Sequence, residues 1–433
     1  LKGFIVSYFS QMQTFTAVFL AALALTVGLR LWLARRHIRH IARCRDQVPA
    51  DFSEHIGLAA HQKAADYSTA KTHLGIIDLV IGTVLLLALT LGGALQALHD
   101  AWLRVFDAGS HAQGIALIVS IAVISGVIDL PLSLYRTFVV EARFGFNKMT
   151  LRLFFADLLK QSLVSAALGL PLLFCVLWLM QRMGEQWWLY VWATWIMYSL
   201  LVLLIYPILI LPIFNKFTPL ADLDLKGQIE ALVARCGFRA QGLYVMDGSK
   251  RSSHSNAFFT GFGATKRIML FDTLIARLAP AEIEAVLAHE LGHFRHHHVL
   301  KSMAALFAMG FAFLWLLGYA MKQDWFYAGL GVQAHSTALA LLLFFLVVPV
   351  FTFLLHPLTS LYSRKHEFEA DAYAARHAIP ADLIRALVKL YQDNAATLTP
   401  DPLYSAFYDT HPPALARIAR LQGAAGQAEP QPA

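Results

Sequence analysis

The chain has 433 residues, of which 58% are apolar and 15% charged, with a formal net charge of +7. A soluble domain carries about a quarter charged residues, so this composition excludes an ordinary water-soluble enzyme and points to a membrane protein. The basic excess forms no stripe with interleaved aromatics on a soluble face, which excludes nucleic acid as the expected partner. It reads instead as loops biased toward Lys and Arg on one side of a bilayer. The three cysteines, Cys44, Cys175 and Cys236, are scattered and make neither a C-x-x-C pair nor a disulfide framework, so any bound metal is expected on His and carboxylate.

Seven apolar stretches are long enough to cross a bilayer, which takes about 20 residues each: 15–33, 74–98, 114–135, 162–180, 188–214, 303–321 and 336–358. The first is followed by Arg35 and Arg36 and lacks a small-residue cleavage site, so it reads as a retained span. The loops after the first and third stretches hold many basic residues, Arg39, Arg43, Lys63, Arg143 and Lys148 among them, whereas those after the second, fourth and sixth hold Arg104, Arg182 and Lys322. Positive loops stay in the cytoplasm, which places the N-terminus outside and the C-terminus inside. Arg30, Asp78, Asp129 and Lys160 lie in or at the ends of spans. Arg30 and Lys160 read as snorkelling side chains; Asp78 and Asp129 read either that way or as facing a wetted cavity. Pro131, Pro171, Pro207, Pro212 and Pro349 are expected to bend their helices.

The polar segment after the fifth span begins at Asn215. An amphipathic helix is expected over 225–236, ending at Gly237. Short strands are expected at 242–247, 255–262 and 267–271, the last two joined by the turn Gly263-Ala264-Thr265. Then comes a helix opened by Pro280, with Ile283, Val286 and Leu287 at helical spacing. It carries His289-Glu290-Leu291-Gly292-His293. Positions i and i+4 share a helix face, so the two imidazoles can hold one metal ion, and Glu290 can reach a water on it. His296, His297 and His298 follow. Three consecutive residues point in different directions and cannot chelate one ion, so they read as a polar face, with His298 the one to watch.

A catalytic zinc takes three protein ligands and keeps one position open. The third ligand is expected in His366-Glu367-Phe368-Glu369-Ala370-Asp371, where Glu367 and Asp371 share a helix face. Glu367 can coordinate while Asp371 accepts the outer N–H of a ligand histidine. Glu369 reads as an exposed carboxylate, and His254 and His366 carry no assigned role. Helices are expected over 364–377 and 381–392, and disorder over 423–433.

These residues resemble the type I CAAX prenyl protease family of membrane zinc metalloproteases. H-E-L-G-H with Ser363 to Asp371 carries the resemblance, together with Glu141 to Asn147 (EARFGFN), Ser255 to Phe258 (SNAF), Lys266 to Thr273 and His411-Pro412-Pro413 with Arg417. The resemblance implies a mainly α, polytopic membrane protein, with seven transmembrane helices around a chamber and a small zinc-metalloprotease domain containing a short β-sheet. It makes His289, His293 and Glu367 the ligands of one zinc ion and Glu290 the general base and acid. Asn256 and Ala257 would hold an extended peptide by backbone pairing, and His411 and Arg417 would stabilise the oxyanion. The expected activity is removal of a C-terminal tripeptide after a prenylated cysteine. The expected partners are a peptide or protein substrate, lipidated or not, and membrane lipid.

The expected division is 1–214 for spans one to five, 215–302 for the metalloprotease segment, 303–358 for spans six and seven, 359–422 for the rest of the zinc domain, and 423–433 for the tail. Short outer loops suggest a bacterial inner membrane, with the ER membrane as the setting in a eukaryote. Two alternatives stand: a heat-shock-type quality-control protease, and a non-catalytic metal-binding membrane protein.

Overall fold

The structure is a computed structural model and describes residues 2–239, 242–260 and 267–428. Among the described residues, seven helices are long and apolar enough to cross a membrane: Met12–Cys44, Leu58–Leu89, His111–Glu141, Leu151–Arg182, Gly184–Phe214, His298–Ala320 and Thr337–His377, here spans 1 to 7. Span 2 stops earlier than its apolar stretch. Gly92 and Gly93 break the helix, with Gly93 at φ +75°, and a separate helix Ala94–Trp102 follows. Hydropathy continues across the break because both pieces are apolar, so periodicity alone runs them together.

Of the five prolines expected to bend their helices, Pro131 and Pro207 accompany departures from the α-helix, whereas Pro171 and Pro349 lie inside continuous helices. A ring nitrogen donates no hydrogen bond and leaves a carbonyl one turn back without a partner. Pro131 is followed by a wider π turn at Arg136–Glu141, and Pro207 sits in another at Tyr206–Ile210. Asp78 and Asp129 are exposed and are in no ion pair among the described residues. Exposure is common to both readings of these two residues, a wetted cavity and snorkelling at the interface. The spans share an apolar core that includes Leu95, Leu117, Leu177, Leu317 and Leu339.

The part outside the spans has its own core, with Ile229, Leu232, Ile268, Leu270, Leu287 and Ala386 inside it. Its sheet has four strands, β1 (Phe217–Pro219), β2 (Leu243–Met246), β3 (Ala257–Thr260) and β4 (Arg267–Phe271), in the order β1-β2-β4-β3. β2 and β4 are parallel, while β1 and β3 run antiparallel to their neighbours. Among the described residues β3 is therefore an edge, with backbone groups unpaired on its outer side. The expected turn at Gly263–Thr265 lies outside the described residues.

Helices α1 (Leu223–Arg235), α2 (Pro280–Arg295), α3 (His356–His377), α4 (Pro380–Asp393), α5 (Pro402–Tyr408) and α6 (Ala414–Ala428) complete this part. α3 is the last part of the long helix given above as span 7, joined to its apolar part Thr337–Thr352 through one turn at Phe353–Leu355, and is counted here with the part outside the bilayer. α6 runs to Ala428, into the stretch expected to be disordered.

Arginine ion pairs tie this part to the spans. Arg251 grips Asp157 of span 4 at 2.7 and 3.1 Å and also donates to the Phe214 carbonyl. Arg36 of span 1 donates to both oxygens of Asp401, at 3.0 and 2.8 Å. Asp401 also caps α5 by accepting from the Leu403 and Tyr404 N–H groups.

Candidate active site

α2 begins at Pro280, and the Glu282 carboxylate accepts the Ala279 N–H at 2.7 Å, closing the first turn. The helix then passes directly over α3. Gly292 makes that crossing possible, because a Cβ there would stand 2.9 Å from the Ala370 Cα. With the backbones so close, side chains on facing edges of the two helices must meet.

They do. His289 Nε2 is 3.2 Å from His293 Nε2, 3.6 Å from Glu367 Oε2, and His293 Nε2 is 3.6 Å from Glu367 Oε1. These three residues form a group whose ligand atoms lie within 4.8 Å of one another. Ligand atoms about 2 Å from a tetrahedral zinc stand about 3.3 Å apart, so the spacing fits. The chemistry fits as well. His289 Nδ1 lies 2.8 Å from Asp371 Oδ1, so Nδ1 carries the proton and Nε2 presents a lone pair. Glu367 Oε2 is buried with no hydrogen-bond partner among the described residues. Such an acceptor is costly unless a cation satisfies it. Burial opposes protonation of His289, yet Asp371 and Glu367 hold its pKa up to about 9. His293 is held down to about 4 by burial and by His289.

Glu290 lies beside this group on the wall of a cleft of about 310 Å³, with Asn256, Ala257, His411 and Tyr391 on other walls. Burial raises the Glu290 carboxyl above the ordinary glutamate value. The Asn256 carbonyl accepts from the Phe271 N–H, and its side-chain Oδ1 accepts from the Ala257 N–H at 2.8 Å, fixing the start of β3. His411 is more than half exposed, with Nε2 3.3 Å from Glu367 Oε1. Arg417 is buried, and its donors go to Asp371: Nε at 2.9 Å to Oδ2 and Nη2 at 2.6 Å to Oδ1. Its Nη1 is 3.7 Å from Glu367 Oε2. The structure therefore brings together all nine residues singled out in the sequence, with Arg417 behind the ligand group.

Residues with no assigned role in the sequence also join the site. His298 Nδ1 is 3.0 Å from His293 Nδ1, and its Nε2 is 2.8 Å from Glu369 Oε2. His366 stacks on the His298 ring at 4.0 Å. His254 Nδ1 donates to Asn394 Oδ1 at 3.0 Å, and Asn394 Oδ1 also accepts the Ser255 N–H. The His254 Nε2 faces Glu141, 3.6 Å away, and Tyr67 of span 2 donates to that carboxylate at 2.6 Å. The strand bordering the cleft is thus anchored to spans 2 and 3. Tyr391 and Asn394 carry no local motif, so only tertiary proximity identifies them.

Residues 37–216 match a family model described as CAAX prenyl protease N-terminal, five membrane helices, and residues 219–425 match peptidase family M48. The chain is 41% identical over 302 residues to the CAAX prenyl protease 1 homolog of Arabidopsis thaliana, covering 69% of this chain and 71% of that protein. It is 37% identical to CAAX prenyl protease 1 of Saccharomyces cerevisiae, covering 72% of each. The match to the Caenorhabditis elegans homolog is 33% identical and covers 94% of this chain and 98% of that one. The crystal structure of S. mikatae Ste24p superposes with a TM-score of 0.88 at 30% identity, covering 94% of this chain and 99% of that one.

Proposed function

The chain belongs to peptidase family M48, among the CAAX prenyl proteases, and is an integral multi-pass membrane metalloprotease with the chamber-type fold of that group; from that premise we propose that it is a zinc endopeptidase that removes a C-terminal tripeptide after a prenylated cysteine, at the cytoplasmic membrane face. The observation that carries this reading is the convergence of His289, His293 and Glu367, with Glu290 beside them, in a cleft bordered by the edge strand β3. The Lys and Arg bias of the loops after spans 1 and 3 supports the cytoplasmic side. The five-helix N-terminal match favours this group over the shorter heat-shock type.

His289, His293 and Glu367 would hold the zinc. When bound, it supplies a Lewis acid that polarises the scissile carbonyl and acidifies a coordinated water. Glu290, whose carboxyl burial makes a better proton acceptor than an ordinary glutamate, takes a proton from the attacking water and returns it to the leaving amine. The unpaired edge of β3, from Asn256 and Ala257 onward, holds the substrate backbone straight by strand addition. His411, exposed at the cleft, donates to the oxygen on which charge develops. Arg417 was the second expected donor to that oxygen. With its donors on Asp371, we assign it instead to holding Asp371, and through it His289.

The test uses purified full-length protein in nanodiscs and two peptides of one sequence, one farnesylated on a cysteine followed by three residues and one not. Glu290→Gln is expected to keep zinc and lose cleavage. Unchanged cleavage by that variant overturns the mechanism, and equal processing of both peptides overturns the prenyl specificity.

A further inference from the structure

On the face of the sheet away from the metal cleft lies a second cavity, of about 610 Å³, that shares no lining residue with the cleft. Side chains alternate between the faces of a strand. Val245, Ile268 and Leu270 pack into the core shared with α2, so Tyr244 and Met269 face the other way and form the floor of this cavity. Its opposite wall is the end of span 5, including Ile208 and Ile213, with Lys160 reaching in from span 4.

Four cationic side chains converge here: Lys160, Lys216, Lys250 and Arg267. None of them is in an ion pair among the described residues. Lys160 donates to the Ile213 carbonyl at 2.9 Å, and Arg267 lies over the Tyr244 ring. The one carboxylate in the lining, Asp247, already accepts the Lys216 backbone N–H at 2.7 Å. Four like charges around one cavity repel each other, and an anion placed among them removes that repulsion.

The position suggests which anion. Lys160 stands within a span, whereas Lys216, Lys250 and Arg267 stand on the protease part, so the cavity straddles the boundary between them. In a bilayer crossed by these spans, that boundary would lie at the level of lipid headgroups. Next to it, Leu159, Leu163, Ile208 and Leu209 are more than half exposed on the same two spans and give acyl chains an apolar surface to lie on. Basic pockets between spans on the cytoplasmic side suit acidic headgroups. We propose that this cavity binds the headgroup of an anionic phospholipid, which thereby bridges spans 4 and 5 to the back of the sheet.

Full-length protein in phosphatidylcholine nanodiscs is compared with the same protein in nanodiscs that also contain phosphatidylglycerol. Thermal unfolding and the lipid retained in native mass spectra are read for wild type, for Lys216→Gln/Lys250→Gln, and for the control Arg35→Gln/Arg39→Gln, which removes two exposed charges near the same membrane face. Phosphatidylglycerol is expected to raise the Tm of wild type and control but not of the lysine variant, whose retained acidic lipid falls several-fold. If the lysine double variant fails to fold, Lys216→Gln alone is read the same way. A shift that survives in the lysine variant, or that disappears equally in the control, overturns the proposal in favour of general surface charge. A shift produced equally by soluble glycerol phosphate in neutral nanodiscs overturns the lipid assignment in favour of a phosphate site.

Discussion

His298 Nδ1 lies 3.0 Å from His293 Nδ1, although a helix break separates the two. α2 ends at Arg295, and His297 takes a left-handed conformation at φ 56°, which turns the start of span 6 so that His298 comes back onto the site. The Glu369 carboxylate can only accept, so His298 donates to it from Nε2. His298 Nδ1 is then bare and accepts the His293 Nδ1 proton. That leaves the His293 lone pair on Nε2, pointing at His289. One carboxylate thus sets the tautomer of a ligand two rings away.

His298→Ala is therefore expected to lower zinc affinity by about 10- to 100-fold, read by competition with a chelator. The electronic spectrum of the cobalt-substituted protein should change as His293 reorients. Unchanged affinity and spectrum would reduce His298 to a packing residue.

Gly292→Ala places a Cβ 2.9 Å from the Ala370 Cα, against backbone that cannot rotate away. The expected cost is about 1–3 kcal/mol of stability. Because α2 and α3 must separate, Glu367 draws back from the histidine pair and zinc stoichiometry falls too. A variant with wild-type Tm and full zinc content would mean that the two helices can slide apart without loss.

Arg417→Lys keeps the charge but loses the two-point grip on Asp371. Asp371 then holds His289 less firmly, and zinc affinity should fall about tenfold. Lost turnover at unchanged zinc affinity would instead place the guanidinium at the reacting oxygen.

The Arg36–Asp401 pair joins span 1 to α5. Burial works against ionisation of Asp401, but the Tyr404 N–H and Arg36 hold its pKa below the ordinary aspartate value. A depressed carboxylate pKa stabilises the fold above the unfolded value, about 4, and that contribution is lost as pH falls through the lower folded value. Asp401→Asn keeps a capping side chain and removes the charge. It should cost about 1 kcal/mol, since Arg36 is half exposed. The Tm gap to wild type should be constant above about pH 4 and close below it. A gap that widens in acid would reverse the sign of this linkage.

Much of the molecule follows from local pattern. Seven spans are legible because hydrocarbon admits only long apolar helices, and β4 is legible because Arg267 to Phe271 is a short apolar run bounded by turn signals. His289 and His293 are legible because one helical turn puts them on one face. β1 was not legible: Phe217–Pro219 is too short to carry alternation and exists only through pairing with β2. The Gly92–Gly93 break was hidden by apolar residues on both sides.

The sequence alone determined the residue types and their spacing along each helix: two imidazoles one turn apart, two carboxylates one turn apart, and enough apolar length to require a bilayer. Only the tertiary structure decided that α2 crosses α3 at Gly292, that Glu369 is drawn to His298, that Arg417 holds Asp371, and that His298 returns to His293. The physical reason is range. Helical periodicity fixes neighbours within one turn, whereas contacts between residues far apart in the chain depend on how closely two backbones can approach, and here a missing Cβ sets that distance.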